Sequence, residues 1–276
     1  MSHSVVNETA SMLTLAVRLA RKAADISLSR IDSAKPSYKL DESVVTTTDH
    51  EIQAMIVRAI RDYFPEHAIC AEETAPGPGA CIAPPGARFC WVIDPLDGTR
   101  NYVAGVPCFA TSIAVVDEGI PVVGVIFEHN TNQMFTAMCG GTARSNDRDI
   151  HVHERGLGGD HLLGTPSSKD ELALRVSRAW HATPGFVCRN LGSTAFEMGL
   201  IGSGAMSGML GCRTKIWDIA AGALIIAQAG GSITDPQGAP LLPFRMNADP
   251  QQNIPFLAAS AAMHPVLLDS IRESMS

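Results

Sequence analysis

Between residue 11 and about residue 31, apolar side chains recur on a helical period at Leu13, Val17, Leu19, Ala20, Ala23, Ala24, Ile26 and Leu28. Arg18, Arg21 and Lys22 fall mostly on the other side, so the spacing predicts an amphipathic first helix that Asp32-Ser33-Ala34-Lys35-Pro36 ends. Residues 38–45 read as short extended pieces around Lys39 and Asp41. A second helical pattern runs through Ile52, Met55, Ile56, Ala59, Ile60 and Tyr63, and a polar residue of the preceding Thr46-Thr47-Thr48-Asp49 is expected to cap it. His67 to Ala71 predicts a short strand ending in Glu72-Glu73-Thr74. The stretch 75–87, rich in Pro and Gly, predicts a loop placed to move over whatever the strand ends carry. Phe89 to Ile93 reads as a buried strand that runs straight into Asp94-Pro95-Leu96-Asp97-Gly98-Thr99, where Pro95 should break the ladder and Gly98 should turn the chain.

From Cys108 to Met138 the chain reads as strand-like segments, 109–116, 121–127 and 133–137, separated by turn residues at Asp117-Glu118-Gly119 and His129-Asn130-Thr131-Asn132. That predicts an antiparallel meander closed by Gly140-Gly141, with His151 and His153 after it on one strand face. The second half alternates instead. Leu162-Leu163-Gly164 leads to Thr165-Pro166-Ser167-Ser168, a helix spans about 170–180, 185–189 reads as a strand, and Gly192-Ser193-Thr194-Ala195 opens another helix with capping hydroxyls. Its amino-terminal amides could face an anion. Trp217-Asp218 starts the last strong helix, 219–229, which Gly230-Gly231 ends. The chain has no repeat and no Gly-Ser linker, so the division expected near residue 150 is tight. Residues 1–150 are expected to form an α+β half with an antiparallel sheet and most of the candidate ligands, and residues 151–276 an α/β half.

A chain of 276 residues that is 46% hydrophobic can bury a large core as one domain or two closely packed ones. Its net charge of −7, without a run of Lys or Arg, argues against a nucleic-acid polymer or an anionic membrane as partner. The basic residues inside the first helix do not suit a secretory signal, and no apolar run approaches the roughly 18 residues of a membrane span. A cytoplasmic location is expected. Cysteines at 70, 81, 90, 108, 139, 188 and 212 show no CxxC spacing, which favours small core residues over a disulfide framework or a zinc site.

The chemistry concentrates at Asp94-Pro95-Leu96-Asp97-Gly98-Thr99. Two carboxylates, a backbone carbonyl and a hydroxyl gathered at a strand end suit a hard cation such as magnesium. A turn with a capping Asp explains one carboxylate but not the pair. The acidic pair Glu72-Glu73, at a strand end some twenty residues earlier, fits the same site, although adjacent carboxylates are often solvated surface. His151 and His153 lack an apparent third ligand, which favours surface histidines over a metal role.

The run Trp91-Val92-Ile93-Asp94-Pro95-Leu96-Asp97-Gly98-Thr99-Arg100-Asn101-Tyr102 resembles the first signature of the inositol monophosphatase family, metal-dependent and lithium-sensitive phosphatases. Lys215-Ile216-Trp217-Asp218-Ile219-Ala220-Ala221-Gly222 resembles its second signature. The resemblance extends from about residue 13 to about residue 271. It implies a layered α-β-α-β-α sandwich, a mixed α+β and α/β fold, and a homodimer. It also implies two or three Mg2+ ions per site, inhibited by Li+, with Glu72, Asp94, the Leu96 carbonyl, Asp97 and Asp218 as ligands. In it Asp49 hydrogen-bonds the catalytic Thr99, Lys39 and Glu73 lie outside the ligand shell, and substrate meets Asp97, Gly98, Thr99, Ser167, Ala195 and Asp218. Without it, Asp49 reads as a helix cap as readily as a site residue, and Asp218 alone reads more readily as a cap.

The activity implied is hydrolysis of a small phosphate monoester, inositol monophosphate-like, by metal-activated water. No nucleophile elbow, arginine-loop cysteine or aspartyl-phosphate motif competes. Many inositol-preferring members carry a glutamate seven residues before the second-motif aspartate, where this chain has Gly211. Arg213 and Lys215 bring cations near the pocket edge instead, so histidinol phosphate, sugar bisphosphates and 3'-phosphoadenosine nucleotides stay open as substrates. A non-catalytic regulator that binds a phosphometabolite is the alternative of another class.

Overall fold

The computed structural model of the chain describes residues 3–39, 43–73, 81, 82, 86–153, 160–246, 249 and 251–275. Helix α1 (His3–Arg30) continues into a short 3-10 turn (Ile31–Ser33) and begins earlier than the apolar period alone predicts. Its buried stripe runs through Met12, Leu15, Ala16, Leu19, Ala20, Ala23 and Ala24, while Leu28 is 41% exposed. Ser27 takes the inward place, because its hydroxyl meets the buried His129 ring at 2.7 Å, and that turns Leu28 outward. Strands β1 (Pro36–Tyr38) and β2 (Val44–Thr46) form a small antiparallel ribbon; Asp41 lies outside the described residues.

Thr46 caps α2 (Thr47–Tyr63), accepting from Thr48 N at 3.2 Å while Asp49 accepts from Thr46 N at 2.9 Å. Two amides left orphaned at the helix start are thereby satisfied. Strand β3 (Ala68–Ala71) follows, and β4 (Cys81–Ile82) pairs with it inside the stretch expected to be wholly loop. Most of 75–87 otherwise lies outside the described residues. Strand β5 (Phe89–Asp97) runs on through Pro95 instead of stopping there, at the cost of a register shift between Asp94 and Asp97. Helix α3 (Thr99–Ala104) leads to the meander β6 (Ala110–Asp117), β7 (Ile120–Glu128) and β8 (Gln133–Met138), then to β9 (Arg144–Ser145) and β10 (Arg148–Asp149). His151 and His153 do not lie on a strand. The chain there has left the sheet to reach the end of a later helix, with Val152 N donating to Ala229 O at 3.0 Å.

The rest comprises β11 (His161–Gly164), α4 (Glu171–Ala182), β12 (Phe186–Arg189), α5 (Thr194–Gly202), β13 (Gly208–Gly211), α6 (Ile216–Gln228), β14 (Gly231–Thr234), β15 (Phe256–Ser260) and α7 (His264–Met275). Helix α6 starts before Asp218 and is followed by α7, so it is not the last strong helix. One sheet has the order β10-β9-β8-β7-β6-β5-β3-β4, the other β12-β11-β13-β15-β14. Alternation along β5 shows how the layers are joined: Phe89, Trp91 and Ile93 pack with α1 and α2, whereas Cys90 and Val92 pack with α5 and α6. The second sheet sends Met209, Phe256 and Ala258 toward α5 and α6, and Leu210, Leu257 and Ala259 toward α4 and α7. The result is the α-β-α-β-α layering that the motifs imply. Among the described residues no helix is long and apolar enough to cross a membrane.

Candidate functional site

Parallel pairing of β3 with β5 sets Ala71 opposite Ile93, and Glu72 N donates to Ile93 O at 3.1 Å. Two strand ends from distant sequence therefore deliver Glu72 and Asp94 side by side. Opposite Asp94 in β6 stands Ser112, whose hydroxyl donates to Trp217 O at 3.1 Å and ties the start of α6 to the sheet. Asp218 is thereby brought to the same place. It sits in the first turn of α6, where it accepts from Lys215 N at 2.7 Å, so it caps the helix and faces the cluster at once.

Past Asp94 the ladder gains one residue, since Asp94 pairs with Ser112 and Asp97 with Ala110. Such a bulge re-aims side chains. Leu96 N donates to Asp94 Oδ1 at 3.0 Å, and Gly98 then turns with φ +90, a conformation costly for residues with a Cβ. A Cβ there would also lie 2.9 Å from Cys108 O. Thr99 follows. Its hydroxyl reaches both Asp49 Oδ1 at 3.0 Å and Leu96 O at 2.9 Å, and its single proton serves one of them at a time. Asp49 is fully buried; burial raises its pKa against the bonds from Thr46 and Thr99. The Asp49–Thr99 pair expected from the motifs is in contact.

Asp94 is 2% exposed, and burial, reinforced by the charges of Glu72, Asp97 and Asp218, holds its pKa well above the carboxylate range. Burial likewise raises Asp218, with Asp97 and Glu72 adding to it. Asp97 is pushed up to about 6, mainly by burial, against the bonds from Ser193 Oγ at 2.7 Å and Ala195 N at 2.6 Å. Lys39 bridges Glu72 at 2.9 Å and Glu73 at 2.6 Å, and Glu73 is pushed up to about 8 by burial and by Glu72. Carboxylates that raise one another in this way, with a backbone carbonyl beside them, form a hard oxygen donor set that a divalent cation would relieve. Among the described residues no three His, Cys, Asp or Glu side chains already stand as a closed shell, so the fit is one of donor chemistry. His151 is exposed and His153 half-buried, apart from this cluster.

Two cavities flank it. One, about 420 Å3, is lined by Lys39, Glu72, Glu73 and Asp218. The other, about 330 Å3, is lined by Arg100, Thr165, Ser167, Asn190, Thr194 and Gly211, and Arg213 and Lys215 border both. Ser167 accepts from Asn190 Nδ2 at 2.8 Å. Arg213 is exposed, whereas Lys215 is tied to the Gln251 carbonyl and to Asn253 Oδ1. Ala195 is buried with its amide on Asp97, so the anion that meets the start of α5 is a side chain of the protein itself.

Sequence reasoning missed three residues here. Ser193 was legible as a cap but not as the partner of Asp97, 96 positions away. Asn101 donates to both Cys108 O and Leu191 O at 2.7 Å, joining α3 to the loop before α5. Glu197, buried and pushed up to about 7, accepts from Leu191 N at 2.9 Å in the same loop; an acidic residue inside an apolar helix was the signal available.

A profile described as the inositol monophosphatase family matches residues 8–276. The Nus factor SuhB of Vibrio cholerae is 33% identical over 271 residues, covering 95% of this chain and 96% of its own. That of Pasteurella multocida is 34% identical over 236 residues, 82% and 86% of the two chains. Among solved structures, an IMPase of Thermotoga maritima superposes with a TM-score of 0.82 at 30% identity, covering 96% and 98%. The extragenic suppressor protein SuhB of Bartonella henselae does so with 0.85 at 25% identity, covering 95% and 99%. Similarity of this kind runs through both sheets and both signature stretches: the chain belongs to the inositol monophosphatase family.

Proposed function

We propose that this chain is a magnesium-dependent phosphate monoester hydrolase acting on a small phosphorylated metabolite. The observation that supports this most is the convergence of Glu72, Asp94, Asp97 and Asp218 beside a Thr99 hydroxyl already paired with buried Asp49. Magnesium held by Glu72, Asp94, the Leu96 carbonyl, Asp97 and Asp218 would offset the charge of the phosphate and lower the pKa of water at the site. The chain's own residues then have separable tasks. Thr99 passes its proton toward Asp49 Oδ1 while its oxygen accepts from the attacking water, a hydroxyl–carboxylate pair acting as general base. Asp49 is held for that task by Thr46 N and Oγ1. Lys39 orients Glu72, and Ser193 with Ala195 N orients Asp97. Gly98 and Thr99, where the chain turns into α3, receive the phosphate.

For the substrate, we place an inositol monophosphate-like ester first. The cavity of about 330 Å3 is of small-metabolite size, and Thr165, Ser167, Asn190 and Thr194 offer it hydroxyl and amide groups. Two features keep histidinol phosphate, sugar bisphosphates and 3'-phosphoadenosine nucleotides in play. A Cβ at Gly211 would stand 2.2 Å from the buried Phe256 ring, so this wall admits no acidic side chain without moving that ring, and Arg213 lies two residues on. A second reading comes from the SuhB relatives, named as Nus factors, and would make the chain a binding protein of the transcription apparatus. Phosphate release from inositol 1-phosphate, histidinol phosphate, fructose 1,6-bisphosphate and 3'-phosphoadenosine 5'-phosphate, with magnesium and with chelator, separates them. Chelator-sensitive release from any of these supports the hydrolase; none from all four favours the binding protein.

A further inference from the structure

Behind the metal-ligand turn lies a buried chain of polar groups that the proposed reaction does not use. His129, just past β7, is fully buried; its Nδ1 lies 2.7 Å from Ser27 Oγ of α1 and its Nε2 3.0 Å from Thr111 Oγ1 of β6. The Thr111 hydroxyl donates to Pro95 O at 2.8 Å. The Ser27 hydroxyl also lies 3.0 Å from Ala24 O, and its one proton serves one of its two acceptors at a time. With the Thr111 proton on the Pro95 carbonyl, as the 2.8 Å contact places it, the Thr111 oxygen accepts from His129 Nε2–H. Burial lowers His129 to about 3, which keeps the ring neutral; with its one proton on Nε2, Nδ1 accepts from Ser27.

The end of this chain falls at a significant point. In the bulge between Asp94 and Asp97, Thr111 is the one β6 residue facing the surplus, and its side chain supplies the donor for the Pro95 carbonyl. The peptide that joins Pro95 to Leu96 is then gripped at both ends: its C=O by Thr111, and its N–H by Asp94 Oδ1 at 3.0 Å. Rotating that plane would release the Asp94 carboxylate. Leu96 O, the next carbonyl, meets a different hydroxyl, that of Thr99, at 2.9 Å.

We propose that Thr111, backed by His129 and Ser27, is a positioning residue that sets the orientation of the Asp94 carboxylate through the Pro95–Leu96 peptide, and thereby the affinity of the site for divalent cations. The inference rests on Asp94 being a metal ligand. It is tested by calorimetric titration of Mn2+ and Mg2+ into the full chain, well below its melting temperature, for the parent, Thr111→Val, Thr111→Ser and Asp94→Asn. Losing a hydrogen bond that orients a ligand weakens metal binding by about ten- to hundredfold, so Thr111→Val should show that loss and Thr111→Ser should restore binding to within about threefold. Thr111→Cys, similar in size but a weak donor, should fall between them, and it carries the comparison if the valine variant does not fold. A merely structural role would lower the melting temperature and leave the dissociation constant of the folded protein alone. Parent-like binding in Thr111→Val or Thr111→Cys, with binding lost in Asp94→Asn, overturns the positioning role and leaves the metal site standing. A parent that binds neither cation, or an Asp94→Asn that binds both as well as the parent, overturns the metal site and this inference with it.

Discussion

Thr99 is where the proposed chemistry depends on one hydroxyl. It has two acceptors within reach, Asp49 and the Leu96 carbonyl, and only the first can take a proton away from water. Thr99→Ala should therefore still bind magnesium but lose about two to four decades in kcat, the usual scale for a missing general-base element. Weaker metal binding with an unchanged maximal rate would make Thr99 a ligand and nothing more. Arg213 poses the corresponding question for substrate choice. It is exposed at the border of both cavities, and a cation beside a partly desolvated anion contributes more than one in open water. Arg213→Ala should lower the ratio of kcat/KM for fructose 1,6-bisphosphate to that for inositol 1-phosphate by about one to two decades. An unchanged ratio would remove the cation from substrate selection and leave the inositol ester in front.

Among the elements, the turn between β5 and α3 carries most of the geometry. Gly98 combines φ +90 with a Cβ position 2.9 Å from Cys108 O. Gly98→Ala should cost about 1–3 kcal/mol of stability and, by tilting the start of α3 away from Asp49, reduce turnover more than the unfolding midpoint alone explains. Urea unfolding beside steady-state kinetics checks this; a variant as stable and as active as the parent would show that the turn tolerates a side chain. This turn was legible in the sequence because its ligands are neighbours in the chain, and so was the meander, whose three apolar segments are set apart by Asp117-Glu118-Gly119 and His129-Asn130-Thr131-Asn132. The N-cap at Thr46 was legible as chemistry but not as one residue among four. What local patterns do not carry is contact across distance. The Ser193–Asp97 bond and the Ser27–His129 contact that rotates α1 are fixed by layer packing, as is the passage of β5 through Pro95. Beyond residue 231 the sequence reading offered no elements, although β14, β15 and α7 lie there: the two strands are only four and five residues long, and α7 buries little more than Leu267 and Ile271.

At the scale of the whole molecule, the layers meet at buried polar groups whose protonation enters the stability of the fold. His129 is lowered from 6.5 to about 3 by burial, so between those values the unfolded chain takes up a proton that the folded one refuses. Its contribution is therefore fully present above about pH 6.5 and is lost as pH falls, by up to about 1.4 kcal/mol per unit. Asp97 and Glu197, raised by burial, act in the opposite direction, so the histidine must be isolated by difference. The stability gap between the parent and His129→Asn, from urea unfolding, should narrow as pH drops from 6.5 to 5. A gap independent of pH would mean that the ring takes up its proton inside the fold as readily as in the unfolded chain.

The central claim is that the carboxylates gathered from β3, β5 and α6 serve as a magnesium site for phosphate ester hydrolysis. The most direct measurement is phosphate release as a function of magnesium concentration, on the best substrate found, for the parent and for Asp94→Asn of equal circular dichroism. The account predicts release that saturates with magnesium, stops with chelator and is absent from Asp94→Asn. Release that persists in chelator, or an Asp94→Asn as active as the parent, would contradict it.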